Sequence, residues 1–143
     1  AKVFVDTVSF DLKVHDDSDW TAKDLITHLT AFEADMVEAI QAFMVGKKYR
    51  LDFRGQTSID GFNEVRRQEQ AGIPWEQALQ EWQTVRDQLR DVIIAFPEND
   101  LNTPFTTPFM QKYDLLQAVK GCGGHEKMHV NEIKSASNPD TNA

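Results

Sequence analysis

A long stretch near the N-terminus, residues 20–46, most constrains the fold, because its nonpolar residues recur at steps of three and four. That spacing places them along one face of an α-helix, and a folded protein must bury such a face against other elements. The polar turn at residues 16–19 supplies N-cap candidates, and Gly46 ends the helix. The nonpolar positions are Ala22, Leu25, Ile26, Leu29, Phe32, Met36, Val37, Ile40, Phe43 and Met44.

Three further segments show helical patterns. Residues 74–96 carry a second long nonpolar stripe, which starts at a proline and stops before Pro97. A shorter helix is predicted over residues 62–70, and a last one over residues 113–134. The proline-rich residues 98–112 predict a connection rather than an element, with its phenylalanines packed over one end of the core. Since no convincing pair of strands is present, the sequence predicts an all-α bundle.

The first residues of the chain fit two patterns. Over residues 3–14, nonpolar and polar side chains alternate as in a strand. The four-residue spacing of Phe4, Val8 and Leu12 suits a helix instead. A lone strand would have no partner in this chain, so we expect a short helix or an extended arm.

The composition limits the number of domains and the classes of partner. A chain of 143 residues suffices for one domain, predicted over residues 1–134, and residues 135–143 are expected to form a flexible tail. The formal net charge of -8 disfavours nucleic acid and anionic membranes as partners. No nonpolar run reaches the ~18–20 residues that cross a bilayer. The single cysteine, Cys122, cannot form an internal disulfide, which indicates a reducing, cytoplasmic setting.

Three glycines, Gly121, Gly123 and Gly124, interrupt the last predicted helix. Each costs about 1 kcal/mol relative to alanine in a helix interior. Their clustering indicates that a neighbouring element approaches closely, or that room is left for a ligand. The alternative is that the helix begins only after Gly124.

Three of the four histidines fall on the nonpolar faces of predicted helices. His28 points into the stripe of residues 20–46, and His125 and His129 share a helix face with Cβ atoms about 5–6 Å apart. His15 sits in a polar turn and is expected at the surface. Burying three imidazoles without a metal leaves several polar nitrogens to satisfy. The pattern therefore favours a metal site with an open position, and zinc, nickel, iron and copper all suit imidazole.

The motif at His125 and His129 also matches the H-E-x-x-H signature of zinc proteases. The downstream ligands of that class are missing, because the metzincin extension does not follow and too little chain remains after His129. Glu126 is a candidate general base beside the metal, or it faces solvent. Cys122, three residues before His125, is a candidate fourth ligand, although a small buried core residue is the favoured interpretation.

The order of these features resembles the DinB-like superfamily of bacterial helical-bundle proteins. One match is the segment 20–33, which is similar to the family's tryptophan-to-histidine helix and contains His28. The second is the pair His125 and His129 on the final helix. Residues 59–101 are similar to the branch that includes the ClbS/DfsB-type proteins and the mycothiol-dependent maleylpyruvate isomerases.

The resemblance spans residues 16–134 and implies an up-down-down-up four-helix bundle whose first helix is short or irregular here. It implies a divalent transition metal, zinc, nickel or iron, held by His28, His125 and His129 at the mouth of a cavity. Characterised relatives include hydrolases and transferases or isomerases that use low-molecular-weight thiols, and the family often forms homodimers. The glycine cluster before His125 departs from the family's last helix.

Three functions remain open from the sequence. The first is a metal-dependent hydrolase or thiol transferase that acts on a small molecule. The second is a non-catalytic binding or sequestration protein, whose nonpolar cavity is rimmed by Phe32, Trp82 and Phe109. The third is a small dimeric helical domain with ordinary core histidines, which would leave the imidazoles far apart.

Overall fold

The computed structural model describes residues 9–15 and 18–138, and four helices dominate that part of the chain. A two-stranded antiparallel hairpin and a 3₁₀ turn accompany them, so the prediction of an all-α bundle is confirmed. None of the helices in the described ranges is long and nonpolar enough to cross a bilayer. The helices are α1 (Ala22–Met44), α2 (Ile59–Gln70), α3 (Trp75–Ile94) and α4 (Leu115–Ser137), and the strands are β1 (Phe105–Thr106) and β2 (Lys112–Tyr113).

Helix α1 is the element around which the others pack, because it contacts α2, α3 and α4. A capping box sets its start: the Thr21 hydroxyl accepts the backbone N–H of Asp24, and the Asp24 carboxylate accepts the backbone N–H of Thr21. Beyond its end, Gly46 has a φ of +72°, which favours glycine. The helix thus begins at Ala22, the first residue of the nonpolar stripe and two residues later than the predicted start at residue 20.

Residues 9–15 are not helical. Lys13 pairs with Thr21 in a single antiparallel bridge. Val14 is buried there and packs in the same core cluster as the first turns of α1. Of the two conformations predicted for residues 3–14, the extended arm fits the part that the structure describes, and the residues before it lie outside the described ranges.

Two nonpolar clusters form the core. One contains Met36 of α1 and Cys122 of α4, and the other contains Leu29 of α1 and Ile133 of α4. Along α4, the residues of the first cluster come before the two histidines of the motif. The residue of the second cluster comes after them. The polar side chains of the candidate site therefore lie where the nonpolar core is interrupted.

The prediction that residues 98–112 form no regular element is wrong, because β1 and β2 pair as a hairpin. Phe105 lies opposite Tyr113, and the Thr107 hydroxyl closes the turn by donating to the Gln111 carbonyl at 2.8 Å. Two-residue strands are too short to show the alternation by which strands are found in a sequence. The expected packing of this segment over the core is confirmed by Phe105, which is buried in the first cluster.

Helix α4 runs without a break through Gly121, Gly123 and Gly124, so the alternative of a helix that starts after Gly124 is wrong. It ends at Ser137, three residues into the segment expected to be a tail. A Cβ added at Gly121 would lie 2.6 Å from the ring of Phe109, whereas one added at either of the other two would meet nothing within 4 Å. Gly121 therefore marks a close approach, and the other two face open space.

Alanine substitutions at two of these glycines are expected to change stability in opposite directions. Gly124→Ala should raise the free energy of unfolding by about 0.5–1 kcal/mol, because alanine restricts the unfolded chain and meets no neighbour. Gly121→Ala should lower it by about 1–3 kcal/mol, because the new Cβ displaces Phe109 from its ring contacts with Phe32 and Tyr113. Urea titrations measure both, and equal stabilisation by the two variants would contradict the close approach.

Candidate metal centre

Three imidazoles from two helices meet at one point. His28 projects from α1, and His125 and His129 project from successive turns of α4. The Nε2 atom of His125 lies 3.1 Å from Nε2 of His28 and 3.0 Å from Nε2 of His129. Ligand atoms of the three residues all lie within 4.8 Å of one another. The alternative in which the imidazoles are far apart is therefore wrong.

The spacing of these nitrogens fits a metal ion. Metal–nitrogen bonds of about 2.0–2.1 Å place neighbouring ligand nitrogens about 2.8–3.4 Å apart at octahedral or tetrahedral angles. Each ring nitrogen offers either one proton or one lone pair in the ring plane. Nε2 of His125 therefore cannot form good hydrogen bonds to both of its neighbours, at 3.1 Å and 3.0 Å, at once. A cation accepts all three lone pairs, so the residues present fit a metal.

The protein keeps these imidazoles neutral. Burial is the largest cause that lowers the pKa of His28, to about 3, and the charges of His129, His125 and Arg66 lower it further. Burial, followed by the charge of His129, lowers the pKa of His125 to about 4. Burial also lowers the pKa of His129, although Glu132 opposes that shift. Near neutral pH, all three rings therefore have lone pairs available for a metal.

A carboxylate on α4 orients one of the rings. Nδ1 of His129 donates to Oε2 of Glu132 at 3.3 Å, and Nε2 of His15 donates to the same oxygen at 2.8 Å. His15, expected at the surface, is only partly exposed and also bonds to Ser18 at 3.1 Å. A carboxylate that accepts the second ring N–H of a ligand histidine fixes the tautomer that leaves Nε2 free. Sequence reasoning missed this role of Glu132, although its spacing of three from His129 was a usable signal.

Glu126, the candidate base, lies on a different face of α4. Its carboxylate accepts from Nη2 of Arg86 on α3, and its side chain is 17% exposed. It lines a pocket between α1, α3 and α4 that is separate from the pocket beside the histidines. The structure thus gives this carboxylate a cationic partner rather than a hydrogen bond within the histidine cluster.

The thiol of Cys122 lies in the nonpolar core. The residue is buried in the first nonpolar cluster, and burial raises the pKa of its thiol to about 12. A thiol with so high a pKa is protonated near neutral pH, whereas metal ligation needs the thiolate. These observations agree with the interpretation of Cys122 as a small buried core residue.

A pocket of about 270 Å³ opens beside His28 and His125. The ring of Phe32 forms one wall, with its centroid 4.5 Å from that of His125 and 4.8 Å from that of Phe109. Trp82, also predicted at the rim, is 3% exposed and belongs to the second core cluster instead. That part of the cavity prediction is wrong, because a nonpolar stripe does not say which neighbour it meets. Other nonpolar lining residues are Leu51, Ile59, Phe62, Pro108 and Met110.

One fixed positive charge lies at the polar edge of this pocket. Nη1 of Arg66 on α2 donates to the Asp35 carboxylate at 2.5 Å, and the guanidinium stands 4.9 Å from the ring centroid of Phe62. The side chain of Asn63 lines the same edge. The pocket therefore combines nonpolar walls with a guanidinium and an amide near the histidines, an arrangement that suits a small molecule with one polar group.

Comparison with known proteins identifies the family. The family model described as the DinB superfamily matches residues 11–133, which include all three histidines of the candidate centre. No curated protein and no solved structure matches the chain. Because the family match covers most of the sequence, the chain belongs to the DinB superfamily.

Proposed function

We propose that the chain is a metal-dependent enzyme that acts on a small molecule. The observation that carries the proposal is the meeting of His28, His125 and His129 beside a largely nonpolar pocket. Three protein ligands leave at least one coordination position open, which is the pattern of catalytic rather than structural sites. Zinc, nickel and iron are the candidate ions, because all three accept imidazole ligands.

In the proposed chemistry, the ion and the side chains around it have different roles. A divalent ion held by the three imidazoles would supply Lewis acidity, which activates water or a thiol as the nucleophile. Glu132 holds the ring of His129 in the ligating tautomer. Phe32 packs against the ring of His125 and helps to hold it in place. Water as the nucleophile would make the protein a hydrolase, and a low-molecular-weight thiol would make it a transferase.

The pocket limits the size and chemistry of the substrate. Its volume of about 270 Å³ is close to the lower limit of ordinary ligand sites, about 300–1,000 Å³. A compact molecule with a nonpolar body would contact Phe32 and Phe109, and its polar group would reach Arg66 or Asn63. This geometry supports a small substrate rather than a polymer.

A second candidate function is non-catalytic binding or sequestration of a small molecule. Among the described residues that line the pocket, the one carboxylate is Asp35, and it is already paired with Arg66. The candidate base Glu126 pairs with Arg86 in another pocket. The pocket therefore offers nonpolar walls and a metal site without a free general base, which suits binding as well as catalysis.

Metal analysis of protein purified without an affinity tag tests the proposal. We expect about one zinc, nickel or iron per chain, and thiol-transfer or hydrolytic activity toward small electrophiles that a chelator abolishes and the metal restores. Metal-dependent ligand binding without turnover would favour sequestration. Less than about 0.2 metal per chain, with no binding on titration, would contradict both metal-dependent functions.

We also propose a homodimer in the cytoplasm. The dimer rests on the family resemblance and on large nonpolar side chains left exposed at Ile94, Leu101 and Leu116. The cytoplasmic location rests on the single reduced cysteine, Cys122. Light scattering on the preparation used for metal analysis reports the oligomeric state, and a monomer at all concentrations would exclude the dimer.

A further inference from the structure

A second pocket, of about 310 Å³, lies between α1, α3 and α4. It has no lining residue in common with the pocket beside the metal centre. The proposed reaction uses none of its residues. The nonpolar and charged residues that line this pocket indicate what kind of molecule it can hold.

An ion cluster of Glu33, Arg86 and Glu126 lines this second pocket. The side chain of Glu33 is 1% exposed, and both of its carboxylate oxygens lie 3.0 Å from Nε of Arg86. Nη2 of the same guanidinium contacts the carboxylate of Glu126. One cation from α3 is thus shared by a carboxylate of α1 and a carboxylate of α4.

The cluster carries more negative than positive charge. Two ionised carboxylates and one guanidinium leave a net charge of about -1; the Glu33 carboxylate is buried, whereas the Arg86 guanidinium is partly exposed. Arg90 also lines the pocket, but its guanidinium lies 3.8 Å from Asp87 and 3.7 Å from Asp91, which balance it at the surface. Burial raises the pKa of Glu33 despite the opposing effect of Arg86. The cluster therefore has room for one more cation.

Glu33 also has unused hydrogen-bonding capacity. Within the described residues, its carboxylate accepts from one donor atom, Nε of Arg86. An ionised carboxylate has about four acceptor positions. A buried carboxylate that shares one N–H between two oxygens favours a ligand that brings several donors.

Most of the other residues that line the second pocket are nonpolar. Met36 and Ile40 on α1 and Leu89 and Ile93 on α3 supply nonpolar lining. On the α4 side, Gly123 lines the pocket, and a Cβ added there would meet nothing within 4 Å. The open space at this glycine adds room to a pocket whose lining is partly nonpolar and partly anionic.

We infer that this second pocket binds a small cationic amphiphile, with its nonpolar body between α1 and α3 and its primary ammonium against Glu33 and Glu126. An ammonium fits because it is a compact cation with three donors. A carboxylate ligand would add to the excess negative charge, and a neutral alcohol would leave that charge uncompensated. The pocket is a ligand site separate from the metal centre.

Calorimetric titration with three matched probes tests the chemistry. The probes are 4-phenylbutylamine, 4-phenylbutan-1-ol and 4-phenylbutanoate, titrated into the full chain with its metal bound. We expect the amine to bind at least about tenfold more tightly than the alcohol, and the carboxylate to bind most weakly. Equal affinities for the amine and the alcohol would overturn the inference.

Variants locate the binding. Gly123→Met should fill the pocket and weaken amine binding at least about tenfold, whereas Gly124→Met, which also faces open space but does not line the pocket, should leave it unchanged. Glu126→Gln should reduce the preference for the amine over the alcohol. His28→Ala should leave amine binding intact. Binding that survives Gly123→Met, or that disappears with His28→Ala, would place the amine elsewhere and overturn the inference.

Discussion

Replacement of His28 by alanine is expected to lower the affinity for a divalent metal by more than about 100-fold, beyond the 10–100-fold that loss of an outer-shell partner costs. In the proposed centre, His28 is the ligand supplied by α1, and both other ligands come from α4. Without it, His125 and His129 form a two-ligand site on one helix, and the site no longer joins two helices. Competition against a chromophoric chelator, with tag-free apoprotein, measures the affinity.

Two further variants separate metal coordination from folding. Glu132→Gln keeps all three imidazoles but weakens the group that orients His129, so a 10–100-fold loss of affinity is expected. Gln41→Ala changes an exposed residue of α1 and should bind metal like the wild type. Each apoprotein should keep the helical circular dichroism of the wild type. Wild-type affinity in His28→Ala would rule out the three-histidine centre.

The histidine cluster could be predicted because its parts are encoded in local spacing. His125 and His129 share a face wherever residues 113–134 form a helix, and His28 falls on the nonpolar stripe of α1. In a bundle of this size, the stripes of the long helices must face a common interior. That requirement allows the three rings to meet, and the structure shows that they do.

The partners of the charged side chains could not be predicted in this way. His15 and Glu132 are 117 positions apart, and the contact depends on where the N-terminal segment crosses α4. The sequence predicts Glu126 as a catalytic base or a solvent-exposed residue, yet it pairs with Arg86 of α3. Helical periodicity tells which face is buried, but not which neighbouring helix that face meets. The prediction that Trp82 lies at the cavity rim is wrong for the same reason.

Arg86→Met is expected to destabilise the fold by about 3 kcal/mol near neutral pH, because it leaves the buried Glu33 carboxylate without a cation. Both oxygens of Glu33 lie 3.0 Å from Nε of Arg86. The Arg86 side chain is 36% exposed, so water partly solvates the pair and keeps the loss at the lower end of the range for buried pairs. Urea unfolding of the metal-free proteins measures the difference.

The pH dependence of this loss identifies its origin. Burial raises the pKa of Glu33 from 4.5 while Arg86 lowers it, so removal of Arg86 raises that pKa further. A carboxyl whose pKa is higher in the folded state binds more protons there, so its contribution to stability grows as the pH falls toward 4.5. The stability gap between wild type and Arg86→Met should therefore shrink in acid. The pKa values of the three centre histidines are lowered in the folded state, so below pH 6.5 these residues destabilise both proteins. Because the effect is the same in wild type and variant, it cancels in the stability difference.

The double variant Glu33→Gln/Arg86→Met tests whether Arg86 stabilises the fold through its charge or through its packing. It removes the buried charge together with its partner, so it should recover much of the lost stability near neutral pH and show no shrinking gap in acid. An equal loss in single and double variants at every pH would mean that Arg86 acts through its contact with Trp82, whose ring lies 5.5 Å from the guanidinium. That result would also mean that the ion cluster lacks the excess negative charge on which the proposed amine binding depends. Unfolding and amine titration therefore test the same electrostatic arrangement by independent measurements.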